Sequence, residues 1–93
     1  MNYRKIIRIR KNLDYLDNKL LDLIKKRTLL VSQILKEKKY KKQIIDRKRI
    51  NIILKNIRSK SLKKNIDPKI TNKIWKSMIN AFIRYEYRNF KKK

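Results

Sequence analysis

Cationic side chains interrupt the apolar side of a long helix that the sequence predicts over residues 6–39. The apolar positions recur in alternating steps of three and four, which is the spacing of a helix that packs against other helices. They are Ile6, Ile9, Leu13, Leu16, Leu20, Leu23, Leu30 and Ile34. Arg27 takes the position of this series between Leu23 and Leu30. Because a guanidinium among apolar side chains is costly, Arg27 needs a partner carboxylate, an acidic ligand or solvent.

Two further cations on this helix differ in where they point. Lys38 follows Arg27 by eleven positions, so the two lie within about 20° of each other around the helix and about 16 Å apart along it. Both could reach one ligand from opposite ends. Arg10 precedes Arg27 by seventeen positions, so it points about 100° away and lies about 25 Å along the axis. If all three cations act in one kind of site, Arg10 must come from a second copy of the chain.

A second, shorter helix is predicted to begin at Asp46, whose carboxylate suits a first turn. Its inward positions are Ile50, Ile53, Leu54 and Ile57. Arg47 precedes Ile50 by three residues and Leu54 by seven, which places it on the same inward face. Lys48 lies nearer the flank of that face.

A third helix is predicted from Asp67-Pro68 to about Phe90, with Asp67 as N-cap and Pro68 at the first helical position. One line along this helix carries Trp75, Ile79, Phe82 and Glu86. Residues 40–45 and 59–66 are predicted as connections, and residues 1–5 and 91–93 as frayed or disordered ends. The expected architecture is all-α, with one long, one short and one medium helix in a single domain over residues 1–93.

Composition narrows the chemistry that these side chains could do. The chain has no cysteine and no histidine, and only seven acidic residues. We therefore expect no metal site, no cofactor and no Ser-His-Asp type of catalysis. Several inward cations facing Glu86 instead indicate a pocket for a small dianion. The alternative is that each cation extends past its apolar neighbours to water.

The net charge of +23 would favour nucleic acid as a partner. However, lysine, isoleucine and asparagine make up about half of the chain and glycine is absent. These three residues share A/T-rich codons, so the charge is typical of an A/T-rich genome. We therefore discount the charge as an indication of a partner, and we keep a non-enzymatic, basic helical nucleic-acid-binding protein as a minority alternative. No targeting peptide or membrane-spanning segment is visible, which favours the cytoplasm.

Three segments follow one another as a long, a short and a medium helix: IRIRKNLDYLDNKLLDLIKKRTLLVSQILKEKK, then IDRKR, then DPKITNKIWKSMI. The most recognisable part is Arg10, the Leu-Asp pairs at 13–14 and 16–17, and Arg27. With these segments, nearly the whole chain resembles the all-α chorismate mutase family, also called chorismate mutase type II. The family consists of intertwined helical homodimers that convert chorismate to prephenate, the branch step toward phenylalanine and tyrosine.

The resemblance implies a role for each unusual residue. Arg27 and Arg47 would hold the substrate carboxylates, and Arg10 would enter from the other subunit. Lys38 would donate to the ether oxygen of the breaking bond. Glu86 would face the same oxygen, where it must be protonated to donate, so we expect activity to fall as the pH rises.

Three positions depart from the usual mutase pattern and keep alternatives open. Glu86 stands where many bacterial members carry a glutamine, as it does in fungal relatives. Lys48 stands where mutases usually carry a glutamate that binds the ring hydroxyl of the substrate, and Phe82 stands where a small polar residue is common. The features at positions 48 and 82 also occur in the related isochorismate-pyruvate lyases, which make salicylate. Lys48 could alternatively pair with Glu86, and a regulatory partner protein could act on an enzyme this small.

Overall fold

Three α-helices make up most of the chain in a computed structural model that describes residues 1–91. They are α1 (Tyr3–Glu37), α2 (Arg47–Lys63) and α3 (Pro68–Asn89), and a short 3-10 turn at Lys41–Gln43 lies between the first two. No strand occurs within residues 1–91. The predicted all-α class and the order of the three helices are therefore confirmed.

Helix α1 begins earlier than the sequence analysis expected. The side-chain oxygen Oδ1 of Asn2 accepts a hydrogen bond from the Lys5 amide at 3.1 Å, and the carbonyl of Asn2 accepts from the Ile6 amide at 3.1 Å. Asn2 thus caps the helix, and Tyr3 is its first residue. The expectation of a frayed segment over residues 1–5 is wrong from Tyr3 onward. Lys92 and Lys93, which were expected to be disordered, lie outside the described residues.

Helix α2 continues through part of a segment that was predicted as a connection. It begins after Asp46, whose side chain accepts from the Arg49 amide at 3.0 Å as an N-cap. It then runs to Lys63 instead of ending before Ser59. Ser61 is buried in this last part, where its hydroxyl lies 2.8 Å from the hydroxyl of Thr71 on α3. The hydroxyl pair allows a polar residue to face α3, so the polar sequence did not mark the end of the helix.

A Schellman-type motif ends α2. Asn65 adopts φ 58°, the Ile66 amide donates to the Ser61 carbonyl at 2.9 Å, and the Asn65 amide donates to the Leu62 carbonyl at 3.3 Å. Asparagine tolerates this left-handed backbone better than most residues, which suits a chain without glycine. The chain can then turn into α3, where Asp67 accepts from the Lys69 amide at 2.9 Å and Pro68 is the first helical residue, as predicted.

The chain divides into two compact units, Met1–Leu30 and Val31–Lys93. In the second unit, α2 packs against α3. Leu35, Ile44 and Ile79 are the buried apolar residues of the described chain. Ile44 is only 3 % exposed although it lies in the predicted connection over residues 40–45, so this connection contributes to the core.

The first unit carries the apolar series of α1 on its surface. Leu13, Leu16, Leu20 and Leu23 are each more than half exposed in the single chain. Such a row of exposed leucines is typical of a surface that another helix covers. Within residues 1–91, no helix is both long enough and apolar enough to cross a bilayer.

Candidate functional site

Lys38 and Glu86 form an ion pair at the centre of the candidate site. The ammonium Nζ of Lys38 lies 2.9 Å from the Oε1 oxygen of Glu86. The side chains are 19 % and 8 % exposed, respectively, so little water reaches the carboxylate. The sequence analysis placed both residues on inward faces. The alternative prediction that Glu86 pairs with Lys48 is wrong, because Lys38 is the partner of Glu86 and Lys48 is exposed.

The ends of two helices position this pair. Helix α1 ends at Glu37, so Lys38 is the first residue beyond it, and its amide still donates to the Leu35 carbonyl at 3.1 Å. Glu86 lies in the last turns of α3, one turn beyond Phe82 and two beyond Ile79. Ile79 and Glu86 are buried and Phe82 is half-buried, so the predicted inward line of α3 is confirmed.

Lys38 also lines a cavity of about 530 Å³ together with Arg47. Gln43, Ile45 and Asp46 complete the lining. The structure therefore brings an ammonium and a guanidinium to one cavity, next to the carboxylate of Glu86. Asp46 is the acidic member of the lining, and its side chain accepts from the backbone amide of Arg49.

Arg47 does not lie on a buried face of α2 as the sequence analysis expected. It is the first residue of α2 and is exposed. The inward face of the helix begins one turn later, since Ile50 is half-buried. A first-turn residue has no preceding turn to cover it, so the guanidinium extends into the open cavity instead of the core.

Tyr85 is a residue near the site that the sequence analysis did not single out. Its hydroxyl lies 2.8 Å from the hydroxyl of Ser32 on α1, 53 positions away. Its ring meets the ring of Phe82 edge-on, with centroids 6.5 Å apart and planes at 84°. Tyr85 therefore connects α1 to α3 beside Glu86 and supports one side of Phe82. A tyrosine directly before the inward glutamate was the signal that could have indicated this role.

Arg10, Arg27 and Lys48 complete the set of predicted site residues. Arg27 is half-buried and its Nε atom is buried, whereas Arg10 and Lys48 are exposed. Arg10 and Arg27 belong to the first compact unit and Lys48 to the second. Their roles toward a substrate stay predictions.

The arrangement around Lys38 can bind an anion and donate hydrogen bonds to an oxygen of a bound molecule. Guanidinium and ammonium groups bind carboxylates through charge-assisted hydrogen bonds. The described residues include no group of three or more His, Cys, Asp and Glu side chains that could hold a metal ion. Lys38 and Arg47 give the cavity its cationic, hydrogen-bond-donating groups.

Comparison with known proteins agrees with the family that the order of the helices indicated. The family model described as chorismate mutase type II matches residues 9–87. This match includes Arg10 and Glu86 near its two ends and every other site residue between them. Searches of curated proteins and of solved structures gave no significant match. Since the family model spans most of the chain, the protein belongs to the chorismate mutase type II family.

Proposed function

We propose that the protein is a chorismate mutase that rearranges chorismate to prephenate. The observation that carries this proposal is the Lys38–Glu86 pair at 2.9 Å beside a cavity lined by Arg47. The family assignment supplies the class of reaction. The pair and the guanidinium supply groups that such a reaction would use.

The rearrangement is pericyclic, so the site requires neither a nucleophile nor a metal. Its tasks are to hold a flexible dianion in the reactive conformation and to stabilise the charge that develops on the ether oxygen. In the proposed arrangement, Arg47 and Arg27 bind the substrate carboxylates, and Phe82 contacts the apolar part of the substrate. Lys38 donates a hydrogen bond to the ether oxygen.

Glu86 has two roles in this proposal, depending on its protonation state. Without substrate, the carboxylate is the partner of Lys38. When chorismate is bound, the two side chains separate so that the ether oxygen lies between them, and Glu86 can donate to it only as a neutral carboxyl. Activity therefore depends on the protonated form and falls as the pH rises.

The active form is proposed to be a homodimer in the cytoplasm. The exposed leucines of Met1–Leu30 form an apolar surface that a second copy can cover. Arg10 lies on the same helix and would enter the site of the partner subunit. A dimer would also help a chain of 93 residues, because a domain of this size buries a smaller fraction of its surface on folding than a larger domain does.

Isochorismate-pyruvate lyase is the second candidate, favoured by Lys48 directly after Arg47 and by Phe82 on α3. In chorismate mutases, the position that Lys48 takes in this chain usually holds an acidic residue that binds the ring hydroxyl of the substrate. The two reactions differ in their products. Incubating the purified protein separately with chorismate and isochorismate, and following prephenate and salicylate, distinguishes them.

Variants of α2 test whether the cavity is the site of turnover. Arg47→Ala should lower kcat/KM for chorismate by roughly 100-fold or more, since it removes a charged ligand of the substrate. Arg49→Ala is the matched control, because it removes another exposed arginine two residues away. Equal losses in both variants would indicate a general effect of charge and would contradict the proposed site.

The hypothesis that the protein binds nucleic acid rests on the net charge of +23 and predicts different results from those expected of a mutase. It predicts salt-sensitive binding to any duplex or single strand, with little dependence on any one arginine. It also predicts no turnover of chorismate. Salt-dependent DNA binding together with an absence of prephenate would favour it over the mutase.

A further inference from the structure

A second cavity is formed by the segment that follows α1 and by the C-cap residue of α3. It has a volume of about 460 Å³ and is lined by Lys39, Tyr40, Lys41 and Phe90. None of these residues lines the cavity that contains Lys38 and Arg47. Its volume falls within the range of roughly 300–1,000 Å³ that is common for small-molecule sites.

The lining combines two aromatic rings with two ammonium groups and no acidic side chain. Lys42 adds a third cation nearby, with its Nζ atom 5.6 Å from the centroid of the Tyr40 ring. The rings offer flat apolar contact, and the lysines attract negative charge. A ligand that matches this lining has a flat ring and an anionic group.

The backbone under this cavity is held in place although the lysine side chains are exposed. The Oε1 oxygen of Gln43 accepts from the amides of Lys39 at 2.7 Å and Tyr40 at 2.9 Å. The Gln43 amide in turn donates to the Tyr40 carbonyl at 3.0 Å. At the other wall, Phe90 is the half-buried C-cap of α3. The rings are thus attached to fixed backbone, which lowers the entropy lost on binding.

We propose that this cavity binds a small aromatic carboxylate, separately from the candidate active site. The carboxylate contacts Lys39 and Lys41, and the ring lies against Tyr40 and Phe90. An aromatic α-amino acid fits less well. Its ammonium group would lie near the two lysines of the lining and near Lys42, and the lining offers it no acidic partner.

The test is a ligand-observed NMR titration of the full chain with 3-phenylpropanoate at low salt. A ligand of this size should bind with a dissociation constant on the order of millimolar. The double variant Lys39→Gln, Lys41→Gln should weaken binding roughly 5- to 10-fold, because two exposed ion pairs are lost. Tyr40→Ala should weaken it roughly 3- to 10-fold through loss of ring contact.

Arg47→Gln is the matched control, since Arg47 lines only the first cavity. It should change the dissociation constant less than twofold. L-phenylalanine should bind at least several-fold more weakly than 3-phenylpropanoate. Circular dichroism of each variant checks whether its helices are retained. Lys39 and Lys41 are exposed, so folding should not depend on them.

Three results would overturn the proposal. The first is that the wild-type protein shows no saturable binding of 3-phenylpropanoate. The second is that Arg47→Gln weakens binding as much as the lysine double variant does. The third is that L-phenylalanine binds as well as 3-phenylpropanoate. The titration requires no chorismate and no turnover. Its outcome is therefore independent of whether the protein proves to be a mutase or a lyase.

Discussion

Replacing Lys38 by methionine removes the cation that meets the buried carboxylate of Glu86. Methionine keeps most of the length of the side chain, so the main change is the lost charge. Breaking a fully buried pair costs about 3–5 kcal/mol, because the remaining charge is left without compensation. Since Lys38 is 19 % exposed, water can replace part of the lost interaction. We therefore expect Lys38→Met to lower the free energy of unfolding by about 2–3 kcal/mol at neutral pH.

A double-mutant cycle separates this ion pair from other effects of the substitutions. Glu86→Gln alone should cost about 1 kcal/mol, because an amide oxygen can still accept from Lys38. The double variant carries no buried charge, so it should cost about 2 kcal/mol rather than the sum of the two single values. The expected coupling energy is thus about 1–2 kcal/mol.

The assay is urea unfolding followed by circular dichroism, with all variants at one protomer concentration because a dimer gains apparent stability with concentration. Lys36→Met is the control. It replaces another lysine at the end of α1 that is exposed, and it should change stability by less than about 0.5 kcal/mol.

Additive costs in the cycle would refute this reasoning. They would show that Lys38 and Glu86 do not interact in the folded protein in solution.

The remaining predictions concern the site, the dimer and the contact between α2 and α3. Glu86→Gln should flatten the fall of chorismate turnover with rising pH, because the amide donates at every pH; a wild-type rate independent of pH would remove the proposed role of Glu86. Leu20→Lys should shift the protein from dimer to monomer in analytical ultracentrifugation, whereas Lys19→Gln on the same helix should not; an unchanged dimer would exclude this face from the interface. Thr71→Val should lower the free energy of unfolding by about 1 kcal/mol, because the buried Ser61 hydroxyl keeps the Ile57 carbonyl as a partner but loses the Thr71 hydroxyl. A neutral result by urea unfolding would show that the hydroxyl pair contributes nothing measurable.

The starts of the helices were predictable because their causes are local. Asp46 and Asp67 each accept a hydrogen bond from an amide two or three residues later, and Pro68 fits only the first turn. The early start of α1 has the same kind of cause in Asn2 and could have been found in the same way. Side chains that cap a helix act within one turn, so nearby sequence is sufficient to locate them.

The end of α2 was not predictable, because its cause is distant in the sequence. Ser61 lies in a polar stretch, and nothing beside it indicates that its hydroxyl faces Thr71. Ile44 is a similar case, since it is buried within a short segment between helices. Whether a polar residue continues a helix, or an isolated apolar residue joins the core, depends on what packs against it.

The sequence by itself determined the all-α class, the order of the helices, the family and most of the unusual residues, because helical periodicity places side chains on faces. It singled out Lys38 and Glu86 as two separate inward residues, and Arg47 as a third. Only the tertiary structure decided that Lys38, and not Lys48, meets Glu86, and that Arg47 is exposed in the cavity of Lys38. The physical reason is that a face is set by the angle along one helix, whereas a partner is set by where the end of α1 lies against α3.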